Sequence, residues 1–418
     1  MKPYDSKTSR RNFLINSTLT LPLALAAAPQ AFARVAVQSQ PPAPAPAKPD
    51  NAPPPLPMRK LGKSNRRVTM LNIGGMMSAY SPQYLDTAWT MGIRYFDTAD
   101  CYLGGKSEKT VGKWLAKYPE RREELFLVSK DHPTKGPKQL LEMIDRRLDA
   151  IGTSYLDAFY IHGLGPEEYG QNSTQWPKSD EFKKVCDQLK SSGKVKMVGF
   201  SSHDGRLNDH LNAAAEGGFV DIIMLAYRAF YKKGDAFDLA LDACHAKGIA
   251  LIAMKTMRNT KEIPARLPEF DKLGLTTHQA VLHAVWSDPR IASVCNMIDN
   301  VSQMEASTTA ARSYKTPLSV AHLELLKQTI LASDRHTFCP GCPACDSFAT
   351  NSHLALKDIS RAVTYYEQDG DLAARELYRG LPEFSRDAST ANLTTLRDNC
   401  TYHVDYPALV KRAARYFA

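Results

Sequence analysis

Between Val68 and Met297 the sequence repeats one pattern eight times: a short apolar run, then an amphipathic stretch. The runs are "VTMLNI" (68–73), "RYFD" (94–97), "LFLVS" (125–129), "LDAFYI" (156–161), "VKMVGF" (195–200), "DIIML" (221–225), "IALIAM" (249–254) and "ASVCNM" (292–297). Each is rich in β-branched, aromatic or other large apolar residues and of strand length. The stretches between them carry helical periodicity; in 137–152, Leu140, Leu141, Ile144 and Leu148 share one face. Eight strand–helix pairs predict an α/β fold closed as a parallel (β/α)8 barrel. A doubly wound open sheet is the competitor, but no run leads into G-x-G-x-x-G. The 418 residues leave room for a smaller C-terminal domain, and 43% hydrophobic with 23% charged residues is ordinary globular composition. The net charge is +9, yet no basic cluster interleaves with aromatics, so no nucleic-acid partner is expected.

A parallel barrel gathers its chemistry at the carboxyl ends of its strands. Asp97 closes the second run, Lys130 follows the third and His162 follows the fourth; Tyr102 lies five residues beyond Asp97. Singly, each is better explained as a solvated rim charge or a satisfied polar group. Together they suit one reaction. A tyrosine hydroxyl is a poor acid near neutral pH. An adjacent ammonium favours its phenolate and is expected to lower its pKa. A carboxylate keeps that lysine charged and placed, and a histidine N–H can orient a substrate oxygen. The four would protonate a carbonyl oxygen while another group delivers hydride. The loop after His162, "GLGPEEYGQNSTQWPKSD", carries Tyr169 and Trp176 and either walls the pocket or is a surface excursion.

The segment "GIRYFDTADCYLGGKSEKTVGKWL" resembles the signature of the aldo/keto reductase superfamily, with Glu108 and Gly112 in register. The spacings of 28 residues from Tyr102 to Lys130 and 32 from Lys130 to His162 match as well. The resemblance spans about residues 58–315. It implies a TIM barrel that binds NAD or NADP across its rim and transfers hydride to or from a small-molecule carbonyl or alcohol. Tyr102 would be the general acid, Asp97 and Lys130 would tune it, and His162 would orient substrate. "GFSSH" resembles the family's nicotinamide-amide element, which implicates Ser201 and Ser202. Other positions depart from the family. Met224 stands where a nicotinamide-contacting glutamine is usual, and Met254 near the place of a stacking tyrosine. Asn296, Asn300 and Ser302 occupy the phosphate-binding segment, where a guanidinium fork for a 2′-phosphate would be usual. Asn300 and Ser302, at a predicted helix start, could cap it or hold a phosphate.

Beyond residue 315 the pattern becomes helical around "HTFCPGCPACDSFATN", which spaces Cys339, Cys342 and Cys345 as C-x-x-C-x-x-C. An iron–sulfur cluster, structural zinc and disulfides are all open readings of such a run. The layout resembles an aldo/keto reductase subgroup ending in a ferredoxin-like tail with two C-x2-C-x2-C-x3-C-P runs. In such tails the fourth cysteine of one run ligates the other cluster. Here Ala349 replaces the fourth cysteine of the first run, and of the second run only Cys400 survives. The resemblance therefore implies a single 4Fe–4S cluster on Cys339, Cys342, Cys345 and Cys400, in a mostly helical domain over 316–418. Cys101, Cys186, Cys244 and Cys295 fall in or beside barrel elements and read as plain buried thiols.

The N-terminus reads as a twin-arginine signal over 1–33. Arg10 and Arg11 precede a short apolar run, and Ala31-Phe32-Ala33 offers a cleavage site after Ala33. The run from Leu19 to Ala28 is too short to span a bilayer. A Pro/Ala-rich spacer occupies 34–57. The expectation is a periplasmic or otherwise exported oxidoreductase that engages the twin-arginine export machinery and a redox partner. The alternative is a non-enzymatic electron-transfer or binding protein on a degenerate barrel with a metal-stapled tail.

Overall fold

The structure is a computed structural model. It describes residues 56–417 except 76–79, 228, 232, 258–262, 333–338, 340–344, 346–353, 370–371 and 401–403. The signal, nearly all of the spacer, and Cys342 lie outside the described residues.

Eight parallel strands close into a barrel: β3 (Leu71–Gly74), β4 (Tyr95–Asp97), β5 (Phe126–Asp131), β6 (Leu156–Ile161), β7 (Val195–Ser202), β8 (Ile222–Ala226), β9 (Ala250–Met254) and β10 (Ile291–Asn296), with β10 paired to β3. All eight expected runs are there, and the first differs in detail. Its residues Arg67–Thr69 form β2 of a separate antiparallel hairpin with β1 (Met58–Lys60), and only from Leu71 does the chain join the barrel. Leu61 and Val68 from this hairpin pack with the interior residues Tyr95, Phe126, Tyr160 and Ile252. The hairpin thus plugs the amino-terminal end, leaving the carboxyl end as the open rim.

A helix follows each strand, and several start on side-chain caps. Ser81 caps Pro82–Thr90, Asp235 caps Ala236–Ala246, and Thr276 with Gln279 forms a reciprocal capping box on Thr277–Trp286. The segment 137–152 is a helix over Leu140–Ile151, closed by Gly152 in the left-handed conformation; Leu140, Ile144 and Leu148 are buried as expected. The large core lies between strands and helices and includes Trp114, Phe159, Phe200 and Trp286.

The C-terminal region is helical, over Val320–Leu331, Leu356–Asp369, Ala373–Gly380, Leu393–Asp398 and Tyr406–Phe417. The last four share a second core with Cys339, Ile359, Val363, Leu409 and Phe417. No helix among the described residues is long and apolar enough to cross a membrane.

Candidate active site

Asp97 closes β4 and Lys130 is the penultimate residue of the neighbouring β5, and both are almost fully buried. Tyr102 comes back over the rim through a tight turn, Tyr102–Gly105, in which Leu103, Gly104 and Gly105 all take positive φ. For Leu103 that conformation is strained, the kind of backbone found where a functional side chain must be aimed.

These turns converge on the Lys130 ammonium. It is hydrogen-bonded to the Asp97 carboxylate, donates to the Thr98 carbonyl at 3.0 Å and donates to the Tyr102 hydroxyl at 3.1 Å. Burial disfavours its charge, but Asp97 and Tyr102 outweigh that and hold its pKa above the ordinary lysine value. Tyr102 differs from the sequence expectation. Burial pushes its hydroxyl above the usual tyrosine range; Lys130 pulls it back and Asp97 adds to the rise. Desolvation outweighs the ammonium, so the group is a neutral phenol, a proton donor. His162 meets the Tyr102 ring edge-on, centroids 5.3 Å apart. Burial, the largest of the influences on His162, lowers its pKa to about 4, so the ring is neutral near pH 7. Tyr169 donates to the His162 carbonyl and packs against Trp176 in a tilted pair, ring centroids 5.3 Å apart. The long loop therefore backs the histidine.

A second buried group supports this rim. Ser129, just before Lys130, donates to Glu108 at 2.6 Å, and Arg147 lies 3.6 Å from the other Glu108 oxygen and 3.5 Å from Asp131. Burial pushes Glu108 up to about 7.

The expected cofactor residues divide. Ser201 accepts from the Gly163 N–H at 2.9 Å, and Ser202 donates to the Leu164 carbonyl at 2.9 Å. Both therefore tie down the loop that follows His162. Met224 is buried inside the barrel, and Met254 borders the same interior. Asn296 donates to Ser307 at 3.4 Å. Asn300 caps the helix Val301–Ser313 through the Gln303 N–H, and Ser302 is exposed on its first turn.

Three of the four expected metal-ligand cysteines meet. Cys339, Cys345 and Cys400 Sγ lie 3.6, 3.5 and 3.8 Å from one atom, the Tyr406 hydroxyl oxygen. Burial raises the Tyr406 pKa well above the usual range, so its proton stays available to sulfur.

Several neighbours were not anticipated. Asp100, Cys101 and His132 surround His162; Cys101 is exposed rather than a buried thiol. They were missed because three different loops bring them together. The tail helix Leu356–Asp369 also lies on the rim. Lys357 donates to the Asp204 carbonyl, Arg361 to the His203 carbonyl at 3.4 Å, and Tyr365 lies 3.5 Å from His203 Nδ1 and bonds Lys255. The same helix carries Ser360, which accepts from the Cys339 N–H at 2.6 Å.

The profile of the aldo/keto reductase family matches residues 69–306, more than half the chain. An aryl-alcohol dehydrogenase of Pestalotiopsis microspora is 26% identical over 237 residues, covering 48% of this chain and 58% of that protein. A D-threo-aldose 1-dehydrogenase of Pseudomonas sp is 25% identical over 265 residues, covering 54% and 75%. The chain thus spans less than two thirds of the first of these relatives and three quarters of the second. The holo form of an aldo-keto reductase from Bacillus halodurans superposes with a TM-score of 0.51 at 22% identity, over 65% of this chain and 96% of that one. At that identity the likeness is one of fold.

Proposed function

Since the chain belongs to the aldo/keto reductase family, we propose that it is an exported NAD(P)-dependent oxidoreductase acting on a small carbonyl or its alcohol, with one 4Fe–4S cluster in its tail. The observation that carries the reading is the buried Lys130 ammonium held between the Asp97 carboxylate and the Tyr102 hydroxyl. A nicotinamide cofactor, when bound, supplies or accepts the hydride. Tyr102 gives its proton to the carbonyl oxygen. Lys130 already points an N–H at the Tyr102 oxygen and steadies the phenolate left behind. Asp97 keeps Lys130 charged and fixed. His162, neutral, orients the substrate oxygen with a ring N–H. In alcohol oxidation the proton travels the other way.

The rim has groups suited to this cofactor. Ser201 uses its oxygen as an acceptor from Gly163, which leaves its own O–H to donate to a carboxamide. The start of the helix Val301–Ser313, with Ser302 exposed, suits a phosphate. Neither Asn300 nor Ser302 is cationic, so this end suits NAD as readily as NADP.

In the tail, convergence of Cys339, Cys345 and Cys400 on Tyr406 fits a buried site of soft sulfur donors, with Cys342 as the fourth ligand. A 4Fe–4S cluster there would supply one-electron transfer. Docking of the Leu356–Asp369 helix on the rim favours a tail that works with the barrel over a remote staple. A twin-arginine signal carries folded, cofactor-loaded proteins, which suits a periplasmic enzyme holding its cofactors and exchanging electrons with a redox partner.

The test is anaerobic purification, with EPR of the reduced protein and identification of nucleotide released on denaturation. We expect a 4Fe–4S signal and a bound nicotinamide nucleotide. Tyr102→Phe should lower carbonyl reduction by about 10²–10⁴-fold. Iron-free protein would sink the cluster, and an undiminished Tyr102→Phe rate would sink the tetrad.

A further inference from the structure

Beside the tetrad lies a second constellation with a different chemistry. Asp100, Cys101, His132 and His162 each offer one donor atom, and these atoms all lie within 4.8 Å of one another. Three of the separations are already short. His132 Nδ1 is 3.2 Å from Asp100 Oδ1, Cys101 Sγ is 3.6 Å from His162 Nδ1, and His162 Nδ1 is 3.8 Å from Asp100 Oδ1. A tetrahedral metal with bonds of about 2.0–2.3 Å sets its ligands roughly 3.3–3.8 Å apart. These edges match that tetrahedron, and the rest close with side-chain shifts of about 1 Å. We propose that Asp100, Cys101, His132 and His162 form a binding site for a divalent transition metal of the zinc type.

The donor set fits the ion. Two imidazoles, a thiolate and a carboxylate suit a borderline-soft cation and exclude magnesium or calcium, which take oxygen. The surroundings fit as well. A metal-bound histidine usually gives its other ring N–H to a carboxylate. His132 has such a carboxylate beside it: its Nε2 lies 3.5 Å from Glu168 Oε1.

The site has one consequence for the reaction, and that consequence alone rests on the tetrad reading above. Metal on His162 Nδ1 leaves the ring proton on Nε2. The histidine is then locked as a donor through Nε2, the tautomer needed to orient a substrate oxygen. Four protein ligands leave no open position, so the metal positions His162 and does not itself bind substrate. Asp100, Cys101 and His132 become positioning residues.

The test reads metal directly. Full-length protein is stripped with a chelator and titrated with Zn²⁺, and with Co²⁺ as a spectroscopic probe. Because the tail cysteines could also take up such ions, the comparison is between wild type and rim variants. Cys101→Ser, at an exposed position, should lose one equivalent of zinc per chain and the corresponding share of the thiolate-to-cobalt absorption. His132→Ala should lose the same equivalent. Glu168→Gln should keep it, with affinity weakened about 10- to 100-fold. Circular dichroism confirms that each variant is folded, and Asp100→Asn, nearly isosteric, is an independent second probe. Equal zinc content and affinity in wild type, Cys101→Ser and Asp100→Asn would overturn the proposal. A chain that binds zinc here but reduces no carbonyl supports the site, and the tetrad reading falls alone.

Discussion

At the scale of single residues, Lys130 is the most committed group in the molecule. It is about 1% exposed and neutralises the equally buried Asp97. Lys130→Met removes one partner and strands the other, which should cost about 3–5 kcal/mol of stability in urea unfolding; adding Asp97→Asn should recover most of it. Glu108 behaves in the opposite sense. Burial raises its pKa from 4.5 to about 7, so between those values the folded state holds a proton that the unfolded chain has released. Stability therefore falls as pH rises through that window. Relative to Glu108→Gln, the wild type should gain stability as pH drops from about 8 to 5, a difference on the order of 3 kcal/mol in denaturant titrations. Both effects belong to residues visible in the sequence. Asp97, Lys130 and His162 stand out as polar groups ending apolar runs, where a barrel exposes them on its rim. The direction of the Tyr102 shift was not visible, because a motif shows the neighbouring ammonium but not how deeply the hydroxyl is buried.

At the scale of elements, strands were the legible part. Seven of the eight runs match barrel strands within two residues at either end, because apolar side chains buried on both faces leave little choice of register. The first run misled because β2 is only Arg67–Thr69, paired with the three residues Met58–Lys60. Pieces that short carry no periodicity of their own. Glycines show the same tightness. A Cβ on Gly199 would come within 1.7 Å of the Ile222 carbonyl oxygen, so the approach of β7 to β8 requires its absence. Tail contacts on the rim were illegible, since Arg361 and His203 are joined only by the finished fold. The buried Arg361 holds the His203 carbonyl and lies 3.3 Å from Asp358. Arg361→Ala should loosen this contact by about 1–2 kcal/mol, read as roughly 5- to 30-fold faster amide exchange over residues 203–205 with the barrel strands unchanged.

At the scale of the whole molecule, one core surrounds the barrel and another surrounds Cys339, Cys400 and Tyr406. If metal ligation holds the second, removing iron with a chelator should lower the tail's unfolding temperature by more than the barrel's. Scanning calorimetry should resolve two transitions, with Cys400→Ser reproducing the iron-free trace and the barrel transition moving less than the tail's. A shift of the barrel alone would reject the assignment. The helix Leu356–Asp369 takes part in both regions, holding the Cys339 backbone through Ser360 and the β7 loop through Arg361 and Tyr365. A shared element of that kind makes the two sites thermodynamically reciprocal. If the tail carries the proposed cluster, whatever free energy its redox state contributes to binding at the rim, binding at the rim returns to its reduction potential. A nucleotide held tenfold more tightly beside the oxidised tail would lower its one-electron potential by about 59 mV. Occupancy at one end of this helix would then be legible as voltage at the other.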